Sequence, residues 1–359
     1  MATSGRRTAL FGAVAAAFFT TLTLGLVEVA LQVVDYPPAA FSPWVRSDVF
    51  GFRLAPNIVM PMRSPEYEVE VATNSLGMRD EEPGPKSGPR ILLLGDSYTM
   101  GYGVPRGAMF ADLLEQDLGV EVVNAGTGGY EIIHQGQVLA EYGPLLKPDL
   151  VVYALYLGND LAQNDEWELR ADGTLHSLVR EYPVRQKSEV KLKRLLRDAW
   201  YGARLSRGDR GEDWLPEEGY LELCEKTPGD EARSDYDEAE RLVGLLAERA
   251  KSIGAGFLVV LVPYRSMVEA QAGAVLRGRH TDFDERYDLG RPAREIGARL
   301  GARGISWVDS TPFLVTEHTR SGAPLFFPVD GHFNVAGHKT FARFVLPLLR
   351  ERLPARPHL

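Results

Sequence analysis

The sequence predicts an α/β domain, a parallel five-stranded sheet covered by helices on both faces in a flavodoxin-like layout, preceded by one membrane-spanning helix. Three observations predict it. Short apolar runs at 91–94, 121–124, 150–156, 257–262 and 305–308 read as buried strands. Helix-length segments separate them, as crossovers between parallel strands require. Thr8 to Val27 is a run of twenty residues without a charge. As a helix rising 1.5 Å per residue it would be about 30 Å long, the thickness of a bilayer's hydrocarbon core.

Taken in chain order, Arg6 and Arg7 precede the apolar run, so the short N-terminus is expected in the cytoplasm and the body outside. A cleaved signal peptide is the alternative. The run is long for one, and Glu28-Val29-Ala30-Leu31-Gln32 offers no small-x-small cleavage site. Residues 1–34 are therefore expected to be a cytoplasmic stub and anchor, with Glu28 at the outer interface. Residues 35–89 read as a linker and small β appendage. Pro37, Pro38, Pro43, Pro56, Pro61 and Pro65 forbid a long helix, Tyr67–Val71 alternates as a strand does, and Asn74–Gly77 looks like a turn. The Pro/Gly-rich stretch 82–89 marks the boundary of the main domain, 90–359. That domain carries an insertion at about 161–235, with Lys187, Lys191, Lys193, Arg194 and Arg197 on one helix and an acidic stretch through Glu217-Glu218. The plain reading of the basic helix is a solvated face; the sharper one is a cap that binds an anionic polymer or lipid headgroup. Near the end, Phe341, Phe344, Val345, Leu348 and Leu349 recur at helical spacing, so a closing helix should pack on the sheet and hold the loop before it.

Composition narrows the function. A net charge of −9 argues against a nucleic-acid surface. Cys224 is the single cysteine, which excludes an intramolecular disulfide and a thiolate metal cluster. There is no Gly-x4-Gly-Lys-Ser/Thr phosphate loop. The glycines of 101–107 depart from a dinucleotide fingerprint in spacing and are interrupted by Pro105. His332 and His338 stand six apart and do not share a helix face as a metal-binding pair would. No metal and no cofactor are expected.

Chemistry concentrates in four segments at strand ends. Ile91–Leu94 stops abruptly in Gly95-Asp96-Ser97, Glu121–Val123 leads into Asn124-Ala125-Gly126-Thr127-Gly128-Gly129-Tyr130, and Leu150–Tyr156 leads into Gly158-Asn159-Asp160. The fourth segment is Asp330-Gly331-His332-Phe333-Asn334. A serine is a poor nucleophile until a base takes its proton, and an imidazole titrates near neutrality. A primary amide donates without titrating, and a residue without Cβ lets backbone approach a substrate closely. In their order along the chain these segments resemble the SGNH (GDSL-type) hydrolase superfamily over about residues 90–350. The resemblance implies the three-layer α/β/α SGNH fold and a set of roles. Ser97 would be the nucleophile and His332 the general base. The oxyanion hole would be the N–H of Ser97, the N–H of Gly129 and the side-chain amide of Asn159, Gly126 being the weaker reading of that glycine. Asp330 would orient His332, although it stands two residues before the histidine where the family usually has three. That spacing resembles the SGNH-like O-acetyltransferases of bacterial exopolysaccharide assembly and related membrane-anchored members.

The expected function is a serine-dependent ester hydrolase, held on the membrane by its N-terminal helix with the catalytic domain on the extracytoplasmic side. It would cleave an acyl ester of the cell envelope, an acetylated glycan or a lipid, through an acyl-enzyme. An O-acyltransferase of an envelope polysaccharide would use the same site, and the motifs do not tell whether water or an alcohol intercepts the intermediate. A non-catalytic glycan-binding scaffold is the third class. No nucleic-acid partner is expected.

Overall fold

The computed structural model describes residues 2–36, 42–162, 167–169, 175–177, 190–207 and 215–353. Two antiparallel hairpins come first, β1 (Trp44–Ser47) with β2 (Gly51–Leu54) and β3 (Val59–Arg63) with β4 (Glu68–Ala72). The main sheet holds β5 (Arg90–Gly95), β6 (Glu121–Asn124) and β7 (Leu150–Tyr156). After a third small hairpin, β8 (Trp167–Leu169) with β9 (Leu175–Ser177), it is completed by β10 (Gly256–Val262) and β11 (Trp307–Asp309). All five strands of the main sheet are parallel, in the order β11-β10-β7-β5-β6. Numbered within the sheet alone that is 2-1-3-4-5, the doubly wound order in which ligands bind where strand order reverses, between β5 and β7.

Every residue of β5 and β7 is buried, as the uninterrupted aliphatic runs require of strands covered on both faces. Helices Ile132–Leu146, Asp230–Ser252 and Arg291–Ala302 pack side by side as one layer. Phe110–Leu118, Thr311–Ser321 and Val335–Arg352 form the other. The α/β/α architecture with a parallel five-stranded sheet is as the sequence predicts. On the closing helix Phe341, Val345 and Leu349 are buried in the same core as the sheet, and the helix also packs on Phe110–Leu118. It holds the preceding loop, since Phe341 meets Phe333 at 5.7 Å and the Asn334 side chain caps the helix N-terminus. His338, on the same helix, is buried and accepts the Phe110 N–H through Nδ1 at 3.1 Å. Burial pushes its pKa down to about 3, so it serves as a neutral structural acceptor.

The appendage belongs to the same compact unit as the sheet, residues 43–184 with 210–359. Its staple is Arg79, fully buried with no exposed surface. Its guanidinium donates to the carbonyls of Met100 (3.2 Å), Gly101 (2.5 Å), Val104 (2.7 Å) and Glu70 (3.1 Å). Burial lowers its pKa to about 10, which leaves it charged at neutral pH. One side chain thereby ties β4 to the loop that follows Ser97.

The other unit is residues 1–42 with 185–209. Its long helix, Ala2–Val33, contains an apolar stretch, Leu10–Val33, long enough to cross a membrane. Within this unit the Glu28 carboxylate accepts the N–H groups of Lys191 (3.0 Å) and Leu192 (2.8 Å), so it caps the basic helix Lys191–Ser206. The Lys191 ammonium pairs with Asp35. Lys187, assigned to that basic helix from sequence, lies outside the described residues.

The Arg79 staple predicts a stability effect. Arg79→Met would leave buried carbonyls without a donor, and the free energy of unfolding should fall by about 2 kcal/mol or more in urea denaturation. An unchanged midpoint and slope would mean that these hydrogen bonds do not hold the appendage in place.

Candidate active site

Ser97 follows β5 at the point where strand order reverses. Within 91–100 it is the one residue that is not buried. It opens the short helix Ser97–Met100, capped by the Asp96 carboxylate accepting the Tyr98 N–H at 2.9 Å. The turn into this helix needs Gly95 (φ +154°), where a Cβ would collide with Thr99 Oγ1 at 2.1 Å. The glycine is therefore required by the close approach of the helix that carries the serine.

The structure brings Ser97, His332 and Asp330 together. Ser97 Oγ lies 2.7 Å from His332 Nε2, and His332 Nδ1 lies 2.5 Å from Asp330 Oδ1. A carboxylate can only accept, so Nδ1 carries the proton and Nε2 is the lone pair facing the serine hydroxyl. The two-residue spacing closes this geometry because Gly331 between them takes φ +84°. The imidazole is bracketed by two tyrosines of the serine segment. Tyr102 stacks on it at 4.8 Å, and Tyr98 lies 5.0 Å away while donating its hydroxyl to the Gly331 carbonyl at 2.9 Å.

Electrostatics favour a base. Burial disfavours the imidazolium, but the Asp330 charge and its hydrogen bond outweigh it, and the His332 pKa is raised above the ordinary value. Burial works in the same way against the Asp330 carboxylate, yet the His332 charge and the hydrogen bonds from His332 and Tyr67 leave its pKa lowered. Behind the serine lies Asp160, fully buried, accepting the Tyr153 hydroxyl at 2.8 Å and the Tyr156 N–H at 3.0 Å. Burial, and then the nearby Asp96 charge, raise its pKa well above the ordinary carboxylate value.

The sheet order sets Ser97 between the loops after β6 and β7, which carry Gly129 and Asn159. The β6 loop runs along the serine, since a Cβ on Gly128 would stand 3.7 Å from Ser97 Cβ. Two observations separate Gly129 from Gly126. The Gly126 N–H is bonded to Asn124 Oδ1 at 3.0 Å, and a Cβ there would meet the backbone of Thr99 and Met100 at 2.6 and 2.5 Å. Gly126 thus packs the serine helix against β6. Gly129 (φ +81°) is exposed, and its N–H has no acceptor among the described residues. Asn159 is half-buried at the start of helix Asn159–Ala162, its amide 3.4 Å from Asp160 Oδ1.

Residue types and order in sequence missed several supports of the site. Asn124 donates to the Thr99 carbonyl at 2.9 Å and receives the Gly126 N–H, tying the serine helix to β6. Its place directly after an apolar run was the available signal. Trp44 of β1 donates its indole N–H to the Gly128 carbonyl at 3.3 Å. Glu269, buried on the β10 side, accepts the N–H groups of Leu325 (2.9 Å) and Phe326 (3.3 Å). Nothing local marks Trp44 or Glu269 in the sequence.

The GDSL-like Lipase/Acylhydrolase family model matches residues 93–340. No curated protein matches the chain. Similar solved structures include the acetyl xylan esterase AlAXEase, 13% identical, covering 72% of this chain and 99% of its own with a TM-score of 0.41. An acetylxylan esterase from Geobacillus stearothermophilus is 19% identical, covers 74% of this chain and 94% of its own, and has a TM-score of 0.39. A lipase/acylhydrolase from Enterococcus faecalis is 16% identical, with 75% and 100% covered and a TM-score of 0.38.

A pH dependence follows from the raised His332 pKa. Only neutral imidazole can accept the serine proton, so kcat/KM for a short acyl ester should rise with pH through a midpoint above the ordinary histidine value of about 6.5. Asp330→Asn removes the charge that raises this pKa. Its midpoint should move to lower pH while the plateau rate falls. A midpoint that stays in place in Asp330→Asn would show that another group sets the basicity of His332.

Proposed function

The chain belongs to the GDSL-like lipase/acylhydrolase family and is an ester-acting hydrolase; on that premise we propose that it is a membrane-anchored serine esterase that cleaves an acyl ester of the cell envelope, an acetylated glycan or a lipid. The observation that carries the mechanism is the continuous hydrogen-bonded chain from Ser97 Oγ through His332 to Asp330, at 2.7 and 2.5 Å. Ser97 Oγ attacks the ester carbonyl as its proton passes to His332 Nε2. Asp330 stabilises the imidazolium and keeps Nδ1 protonated. The oxyanion is received by the N–H of Ser97, the N–H of Gly129 and the amide of Asn159. The commitment of the Gly126 N–H to Asn124 favours Gly129 as the glycine donor. His332 then returns its proton to the leaving alkoxide, leaving an acyl-serine. Water, deprotonated by His332, attacks the acyl carbon and releases the acid and free Ser97. Each oxyanion donor supplies about 3–4 kcal/mol of transition-state stabilisation. The apolar helix Leu10–Val33 supports an anchor, with the basic Arg6-Arg7 on the cytoplasmic side and the catalytic unit outside.

Ser97→Ala and His332→Ala should each abolish turnover of a short acyl ester. Fluorophosphonate should label the wild type at Ser97 and leave Ser97→Ala unlabelled. Asn159→Ala should fold normally and lose about 10²–10³ in rate. Wild-type activity in Ser97→Ala would refute the site. With candidate polysaccharides supplied as acceptors, free acid should be the main product; majority transfer to a sugar hydroxyl would replace the esterase by an acyltransferase.

The anchor makes a separate prediction. A C-terminal alkaline phosphatase fusion in a bacterial host should be active, and carbonate washing should leave the full chain in the membrane fraction. Recovery of a soluble protein that has lost residues 1–30 would overturn the anchor in favour of a cleaved signal peptide.

A further inference from the structure

Asp330 uses both carboxylate oxygens. Oδ1 faces His332, and Oδ2 accepts the hydroxyl of Tyr67 at 2.8 Å. Tyr67 comes from the turn between β3 and β4, far upstream of the family-matched residues 93–340. Its neighbour Glu66 grips the same loop. The Glu66 carboxylate accepts the backbone N–H groups of Val329 (2.9 Å) and Asp330 (2.7 Å), one on each oxygen. The turn that presents both residues is itself closed, with Ser64 N–H donating to the Tyr67 carbonyl at 2.9 Å and Glu66 N–H to Ser64 Oγ at 3.0 Å. Packing fixes the phenol in place. The Tyr67 ring lies 4.9 Å from Phe327 and meets the edge of Tyr102 at 6.3 Å, and Tyr102 is the ring stacked on His332. A Cβ on Gly103 would come within 2.8 Å of both Tyr67 and Phe327.

We propose that Tyr67 and Glu66 are positioning residues of the catalytic base. The hairpin turn holds the Val329–Asp330 backbone and the outer oxygen of Asp330, so that the inner oxygen stays aimed at His332. The inference rests on the serine-esterase reading of Ser97, His332 and Asp330. It makes the appendage, through Glu66 and Tyr67, a working part of the active site. The chemistry is plain. A carboxylate with one oxygen unrestrained can rotate and lose its bond to Nδ1, and backbone amides without an acceptor would let the loop shift. Tyr67 stays a donor across the working pH range, because burial and the Asp330 charge raise its pKa.

The test separates positioning from simple support of the fold. Active sites of the full-length protein are first counted by fluorophosphonate labelling, so that rates refer to folded molecules. Tyr67 faces Asp330 and Tyr102, Glu66 faces Asp330 and Arg265, and His332 faces Asp330, Asp96 and Glu66, so that Tyr67→Phe and Glu66→Gln act on the imidazole in opposite senses. Tyr67→Phe keeps the ring and removes the donor. Its kcat per labelled site should fall by about 10-fold with KM little changed, the scale of a hydrogen bond to a charged group. Its acid limb should move to higher pH, because Asp330 without that donor holds the imidazolium more tightly. Glu66→Gln keeps an acceptor but loses the charge, so its rate should fall less than that of Glu66→Ala and its acid limb should move to lower pH. A wild-type kcat and acid limb in Tyr67→Phe would overturn the proposal, as would rate losses in all three variants that vanish once active sites are counted. Ser97→Ala in the same assay keeps the two readings apart. If it is inactive while Tyr67→Phe behaves as wild type, the positioning role fails alone; if it is active, the serine-esterase reading fails first.

Discussion

A loop cannot hold a base still unless its own backbone is held, and here the loop 324–334 carries both the proposed base, His332, and its partner Asp330. Its amides and carbonyls need partners, because unpaired backbone polar groups in a partly buried site are costly. Two carboxylates from different elements meet part of that need. Glu269 takes the amides of Leu325 and Phe326, and Glu66 takes those of Val329 and Asp330. Arg265, buried and paired with Glu269 at 3.1 Å, also donates to the Pro328 carbonyl. Inside the loop, the Phe327 N–H donates to the His332 carbonyl at 2.8 Å, and Phe326 bridges to Phe333. Asn334 closes it by capping the last helix and donating to the Pro324 carbonyl at 2.9 Å. The loop is thus suspended between the β10 side of the sheet and the appendage, and the catalytic distances depend on both attachments.

The same arrangement sets the charge balance of the site. Asp96, Asp160, Asp330 and Glu66 all lie around the serine–histidine pair, and four ionised carboxylates there would repel one another strongly. Burial raises the pKa values of Asp96, Asp160 and Glu66, and of these four only that of Asp330 is lowered. Asp160 is buried beside Asp96, which raises its pKa further, and it accepts the Tyr153 hydroxyl and the Tyr156 N–H. Asp330 is kept ionised by the imidazole and the Tyr67 hydroxyl. The Asp330 charge next to His332 raises the basicity of the proposed base.

Much of this could be read from the sequence, for a physical reason. Strands buried on both faces must be continuous aliphatic runs, so β5, β6, β7 and β10 stood out. The last strand begins later than expected, at Trp307, because Ile305 N–H turns back to the Leu300 carbonyl at 3.0 Å. Ser97, Asp330 and His332 were singled out because only a few side chains can perform nucleophilic and base chemistry, and the structure joins the three in one hydrogen-bonded chain. Tyr67, Glu66 and Glu269 were not. The Tyr67–Asp330 contact spans 263 residues, and a Tyr and a Glu in a proline-rich hairpin carry no local mark of what they touch.

The central claim is that Asp330, held from behind, fixes the proton on His332 Nδ1 and leaves Nε2 for Ser97. The most direct measurement is nitrogen-15 NMR of histidine-labelled protein above the His332 pKa. The account predicts a His332 resonance pair of the Nδ1–H tautomer, with a strongly downfield Nδ1 proton that disappears in Asp330→Asn. A neutral His332 protonated on Nε2, or one exchanging freely between tautomers, would contradict it.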